Sequence, residues 1–224
     1  MKGDFSRWTF DPHKYFSRVL LQQGRVLLDA DWNEQNAILL GSLQQVAADL
    51  IGPHGGPREY CGFRLTRAEE LSQPERKRLE DLKILPLKEG DGLIGPGRYY
   101  VDGVGVETPE YVAYTLQPYL PGLEVPKSGR LLVYLDLWER HITPLEDPYI
   151  REVALGGADT CTRAQLIWQV KLLDLDDPGE EFSKEQQEAL KNLKLGSANC
   201  DNFPLAGFRQ ALSGNPPLLK ARAL

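Results

Sequence analysis

Arg98-Tyr99-Tyr100-Val101-Asp102-Gly103-Val104-Gly105-Val106-Glu107 is the stretch on which the fold class turns. Two runs rich in aromatic and β-branched residues flank Asp-Gly, a dipeptide that tolerates the positive φ angles of a two-residue hairpin turn. An antiparallel pair is therefore expected here. Downstream, residues 130–138 and 166–173 are apolar on both alternating faces, as in strands from the covered middle of a sheet. Residues 111–115 give a shorter strand candidate. Residues 92–97 are Gly-rich but precede a strand, whereas phosphate-cradling loops follow a strand and open a helix, so they read as a turn.

Upstream the period changes. Leu39, Leu43, Val46 and Leu50 recur at three- and four-residue spacing, with Leu40, Ala47 and Ile51 widening the stripe, which predicts a helix over 32–51. Residues 24–28 read as a short strand before it. Asp31 and Glu34 have the spacing of a capping box at its start, and Gly52-Pro53 stops it. Residues 66–82 form a charged, helix-permissive connector in which Pro74 splits the segment or opens its second half. A further short helix is expected over 183–193. The fold class is α+β: an N-terminal arm and long helix packed on a mainly antiparallel β domain. The expected organisation is 1–63 for arm plus helix, 64–90 for the connector, 91–175 for the β-rich part and 176–224 for an acidic helical tail.

The chain has 224 residues, 42% hydrophobic and 26% charged, with a formal charge of −6. That is a globular composition, and the acidic balance opposes a nucleic-acid partner, which needs clustered Lys and Arg. No run approaches the roughly 18 apolar residues of a membrane span. Residues 1–10 lack a secretory signal, so the expected setting is cytoplasmic. Cys61, Cys161 and Cys200 are odd in number and widely spaced, and are expected as reduced, mostly buried thiols. The charge is unevenly spread. Residues 1–25 hold five basic and two acidic side chains, whereas 174–201 hold eight acidic side chains and three Lys.

Candidate chemistry is sparse. Asp29-Ala30-Asp31-Trp32-Asn33 has the opening spacing of a calcium loop, but Glu34 stands where the tight-turn Gly is needed and Leu40 where the bidentate Glu is needed. His54-Gly55-Gly56 has no nucleophile elbow to serve and reads as a turn. Asp136, Glu139, Glu146 and Asp147 lie near His141, a carboxylate set conceivable for glycoside hydrolysis. The sequence supplies no catalytic constellation, no cofactor motif and no metal-ligand set. What stands out is the arm. Phe5, Trp8, Phe10, Tyr15 and Phe16 alternate with Lys2, Arg7, Lys14 and Arg18. Such aromatics pack either on their own domain or in a neighbouring subunit, where aromatic and Arg side chains dominate binding energy. Phe5, Arg7, Trp8, Phe10, Tyr15 and Arg18 are the candidate partner-binding residues.

Longer runs carry a resemblance. Gly3-Asp4-Phe5-Ser6-Arg7, Thr9-Phe10-Asp11-Pro12, Gln22-Gln23-Gly24-Arg25-Val26, Leu28 to Gln35 and Asp49-Leu50-Ile51-Gly52-Pro53-His54-Gly55-Gly56-Pro57 form the first group. Gly97 to Gly103, Tyr134 to Arg140, Glu146-Asp147-Pro148, Glu152 to Thr160, Thr162-Arg163 and Trp168-Gln169-Val170 extend it over most of residues 1–175. This pattern resembles an uncharacterised bacterial domain family encoded beside extracellular contractile injection systems and other phage-tail-like particles. The resemblance implies a non-enzymatic structural or attachment role at the baseplate or tube, as a homo-oligomer contacting other particle subunits, assembled in the cytoplasm and released with the particle. It supplies no active site. Two other readings follow: a cargo or cargo-adaptor protein in the tube lumen, and a carbohydrate-active enzyme using the carboxylates from Asp136 to Asp147.

Overall fold

The computed structural model describes residues 3–88, 90–120, 123, 130–177, 184–191 and 221–223. It has the α+β class expected from the sequence. Among the described residues three α-helices and nine strands follow in chain order: α1 (Asp29–Ile51), β1 (His54–Gly55), β2 (Leu65–Thr66), α2 (Gln73–Asp81), β3 (Leu93–Ile94), β4 (Gly97–Val101), β5 (Val104–Thr108), β6 (Val112–Ala113), β7 (Leu131–Ile142), β8 (Arg163–Asp174), α3 (Lys184–Lys191) and β9 (Ala221–Ala223). Among the described residues they make three three-stranded sheets, ordered β1-β4-β5, β2-β3-β6 and β8-β7-β9. Pairing is antiparallel in β2-β3, β3-β6 and β7-β9.

The chain divides into two compact units. The first comprises Met1–His54, Asp102–Val104 and Arg140–Gln165; the second comprises Gly55–Val101, Gly105–Glu139 and Leu166–Leu224. Each is assembled from segments distant in sequence.

Local chemistry sets the elements. The Asp-Gly hairpin forms as expected: β4 and β5 are joined by Asp102 (φ 48) and Gly103 (φ 77), both left-handed. Pro74 sits in the first turn of α2, where Ser72 and Glu75 complete a capping box, and Glu75 also accepts from Tyr111 Oη at 3.0 Å. Leu79 thereby reaches the core, fully buried with Leu93, Ile94, Leu137 and Val101. Residues 92–97 are not a turn. Leu93 and Ile94 form the central strand β3, and beside it Gly62 and Gly97 meet backbone to backbone, so closely that a Cβ on Gly62 would lie 2.4 Å from the Gly97 carbonyl carbon.

The two long strands differ in how they are covered. β7 is the middle strand of its sheet, as expected of an apolar run with both faces shielded. β8 is an outer strand, contrary to its apolar pattern. Its edge is closed by side chains: the amide of Gln117, itself buried, donates to Val170 O (2.8 Å) and accepts from Val170 N (2.7 Å), as a neighbouring strand would. Gln169 Nε2 donates to Tyr119 O at 2.7 Å. Edge hydrogen-bonding groups left unpaired in the interior are costly, so this substitution of amide for strand explains the burial.

The expected strand over 24–28 is absent; Gln23 and Gly24 form a turn, and 25–28 lead directly into α1. α1 also starts earlier than expected. Leu28 is the N-cap and makes no side-chain cap bond, so Asp31 lies inside the first turn. At the other end Gly52 (φ 90) terminates the helix as expected. Of the helix expected over 183–193, Lys184–Lys191 is described as helix; Ser183, residues 192–193 and Cys200 lie outside the described residues. Cys61 and Cys161 are exposed, which corrects the expectation of buried thiols. Each lies in an open loop segment: Cys61 bridges the backbone of Arg98, and Cys161 faces the Arg163 guanidinium at 2.8 Å.

Replacing Gln117 by Leu removes both partners of Val170 while keeping the volume. Leaving a buried donor and acceptor unmet costs about 1 to 3 kcal/mol each. Urea denaturation is expected to show a loss of roughly 3 kcal/mol for Gln117→Leu, and an unchanged midpoint would show that the edge is satisfied some other way.

Candidate partner surface

The arm is tied to the start of α1 by polar side chains. Ser6 donates twice to the Asp29 carboxylate, from its N at 2.9 Å and its Oγ at 2.5 Å. Thr9 Oγ1 donates to Glu34, and Val19 N donates to Gln35 Oε1 at 2.8 Å. Asp29 of the calcium-loop spacing and Glu34 of the capping-box spacing are thus used to hold the arm. Those two bonds from Ser6 hold the Asp29 carboxyl below its ordinary value. Between these ties the chain bends through a 3₁₀ turn at Pro12–Lys14, closed by Asp11 accepting from His13 N and by left-handed Tyr15 (φ 54).

This geometry sorts the six candidate residues. Phe5 is half-buried, with ring centroids 6.3 Å from Trp8 and 5.8 Å from His141. Phe10 is half-buried over Gly41 of α1, where a Cβ would stand 3.3 Å from its ring. Trp8 (58% exposed), Tyr15 (89%), Arg7 and Arg18 face outward. Phe5 and Phe10 therefore fix the arm within its unit, and Trp8, Tyr15, Arg7 and Arg18 are displayed by it. His141 Nε2 is buried with no hydrogen-bond partner among the described residues.

Two further apolar surfaces are exposed: the helix stripe, which the sequence located without showing that it is uncovered, and a loop that the sequence reading missed. The helix stripe itself is exposed: Leu43 is 66% and Leu50 82% accessible, while Ala30 and Ile38 are the buried side chains of α1. The loop between β7 and β8 presents Leu145, Tyr149, Val153 and Leu155 to solvent. That loop is held by its own polar groups, with Asp147 accepting from Tyr149 N, Glu152 accepting from Ala154 N, and Glu152 N bonded to Ala158 O at 3.0 Å. Periodicity cannot find such residues, because 3₁₀ turns at Pro148–Ile150 and Val153–Leu155 follow neither helical nor strand spacing.

The carboxylates once considered for catalysis are occupied structurally. Asp136 is buried against Lys171 Nζ at 2.7 Å, and that ammonium lies 5.8 Å from the Trp138 ring. Glu146 pairs with Arg140, and Asp147 caps a 3₁₀ turn. Among the described residues no three His, Cys, Asp or Glu side chains stand where they would hold a metal ion. No described helix is long and apolar enough to cross a membrane.

Geometry thus defines an α+β protein whose outward chemistry is a set of ordered apolar surfaces. A family model matches residues 1–202, and the chain belongs to that family, described as a family of unknown function (DUF6519). No curated protein matches the chain.

Because Ser6 holds the Asp29 carboxyl below its ordinary value of 3.8, the tie is intact above that value and is lost as the pH falls through the lowered one. Titration of the Ser6 amide shift by NMR is expected to show a midpoint below 3.8 that disappears in Asp29→Asn. A Ser6 amide indifferent to Asp29 would mean that the arm is not held there.

Proposed function

We propose that this protein is a non-enzymatic structural or attachment component of a contractile phage-tail-like particle, docking at the baseplate or tube as a homo-oligomer. What carries the reading is the arm: an ordered segment that spends Phe5 and Phe10 on its own unit and leaves Trp8, Tyr15, Arg7 and Arg18 outward. Aromatic and Arg side chains held in one conformation are the groups that dominate subunit interfaces, since little entropy remains to be lost on binding. The resemblance of residues 1–175 to proteins encoded beside injection systems supplies the kind of partner. The protein assembles in the cytoplasm and leaves the cell with its particle.

Deleting residues 1–18 is expected to abolish incorporation while the second unit, which contains none of them, stays folded. Mass spectrometry of purified particles from the producing bacterium, with wild-type and truncated chains, checks this. Particles that never contain the protein overturn the reading, and normal incorporation of the truncated chain removes the arm from it.

A further inference from the structure

The exposed stripe of α1 is more regular than a general apolar patch. Trp32, Asn36, Leu39, Leu43, Val46 and Leu50 follow one another at alternating intervals of four and three residues, and all six are exposed. This is the a/d spacing of a coiled coil, whose 3.5-residue period is the seam that a second helix fills. On the opposite face Glu34, Gly41 and Ala48 recur every seven residues, and two of these are where the arm attaches, through Thr9 and Phe10. The arm lies on that side over most of α1, reaching round to Asp29 and Gln35 near its start, and the seam from Asn36 to Leu50 stays exposed.

We propose that this seam pairs in parallel with the same helix of a second copy of the chain. The flanking positions suit an identical partner, because of Asn33, Gln35, Leu40, Ser42, Ala47 and Asp49 only the last is charged. No like charges are brought together along the length except at the end. Asn36 sets the orientation. Its Nδ2 donates to Trp32 O at 2.9 Å, which leaves one N–H and the carbonyl oxygen to use. In a parallel pair the two Asn36 amides meet and satisfy each other, whereas a centred antiparallel pair sets Asn36 against Val46 and leaves the amide buried without a partner. Monomers rarely expose contiguous apolar patches beyond a few hundred Å². Leu50 at 82% and Leu43 at 66% exposure, with Leu39, Leu40 and Val46 beside them, make such a patch, and a second copy of the helix would cover it. The inference rests on α1 alone and holds with or without a particle.

Sedimentation equilibrium of the purified full chain tests it. Wild type is expected at two or more times 25.2 kDa, and Leu43→Glu at one chain over the same concentrations with the same far-ultraviolet circular dichroism. A wild-type monomer, or an oligomer that Leu43→Glu leaves intact, overturns the proposal. Should Leu43→Glu fail to fold, cross-linking decides. Leu43→Cys, in a chain with Cys61, Cys161 and Cys200 changed to Ser, is expected to form a disulfide-linked dimer on mild oxidation, because residue 43 faces itself only in the parallel pair. Failure to cross-link overturns the proposal. Particle composition does not enter either measurement: a monomer removes the homo-oligomer from the proposed function, while the presence of the protein in particles is decided by mass spectrometry alone.

Discussion

The face of α1 opposite its apolar stripe is approached closely by the hairpin turn and by the arm, and this constraint orders the first unit. A Cβ on Gly103 would lie 1.9 Å from the carbonyl oxygen of Gln44, and Gly103 has φ 77, so the hairpin turn meets the helix backbone with no side chain between them. One turn earlier, the Phe10 ring rests on Gly41. With that side of the helix covered, its apolar stripe is the side left open. The exposure of Leu39, Leu43, Val46 and Leu50 is the consequence.

That explains what the sequence made legible and what it did not. The Asp102-Gly103 hairpin was readable because positive φ at both turn residues is a local demand that few dipeptides meet. The end of α1 at Gly52 was readable for the same reason, and Pro74 in the first turn of α2 because its fixed φ suits that position. The start of α1 was not. Asp31 and Glu34 have the spacing of a cap, but Ser6 and Thr9, more than twenty residues away, bring the arm onto Asp29 and Glu34. Likewise the helical period located the apolar face of α1 correctly, yet periodicity says only that a face is apolar and not what covers it.

The second unit shows the same limit in a sheet. An apolar strand buried on both faces was expected in the middle of a sheet, and β7 is there. β8 has the same composition and sits at an edge, because the Gln117 side chain supplies the donor and acceptor that a further strand would. A single amide at a distance of 53 residues carries no pattern that a window of sequence can detect. The carboxylates between 136 and 147 were legible as a cluster, but their uses are separate: an ion pair with Lys171, an ion pair with Arg140 and a turn cap. Sequence proximity of acids therefore gave no guide to shared chemistry.

Why an ordered chain keeps so many apolar side chains outward can be argued from the polar bonds beneath them. Tyr15 stands on a 3₁₀ turn closed by Asp11, Tyr149 on one closed by Asp147, and Val153 on one closed by Glu152. In each case a carboxylate accepts a backbone N–H and fixes the segment without help from the side chain it displays. Fixing a backbone residue costs about 1 to 2 kcal/mol of conformational entropy, and here that cost is met within the fold. A partner that covers these side chains gains their burial and pays little to order them. Surface loops without such caps would lose part of that gain to ordering. The capped turns and the glycine-gripped helix thus solve one physical problem, holding apolar groups in water at defined positions.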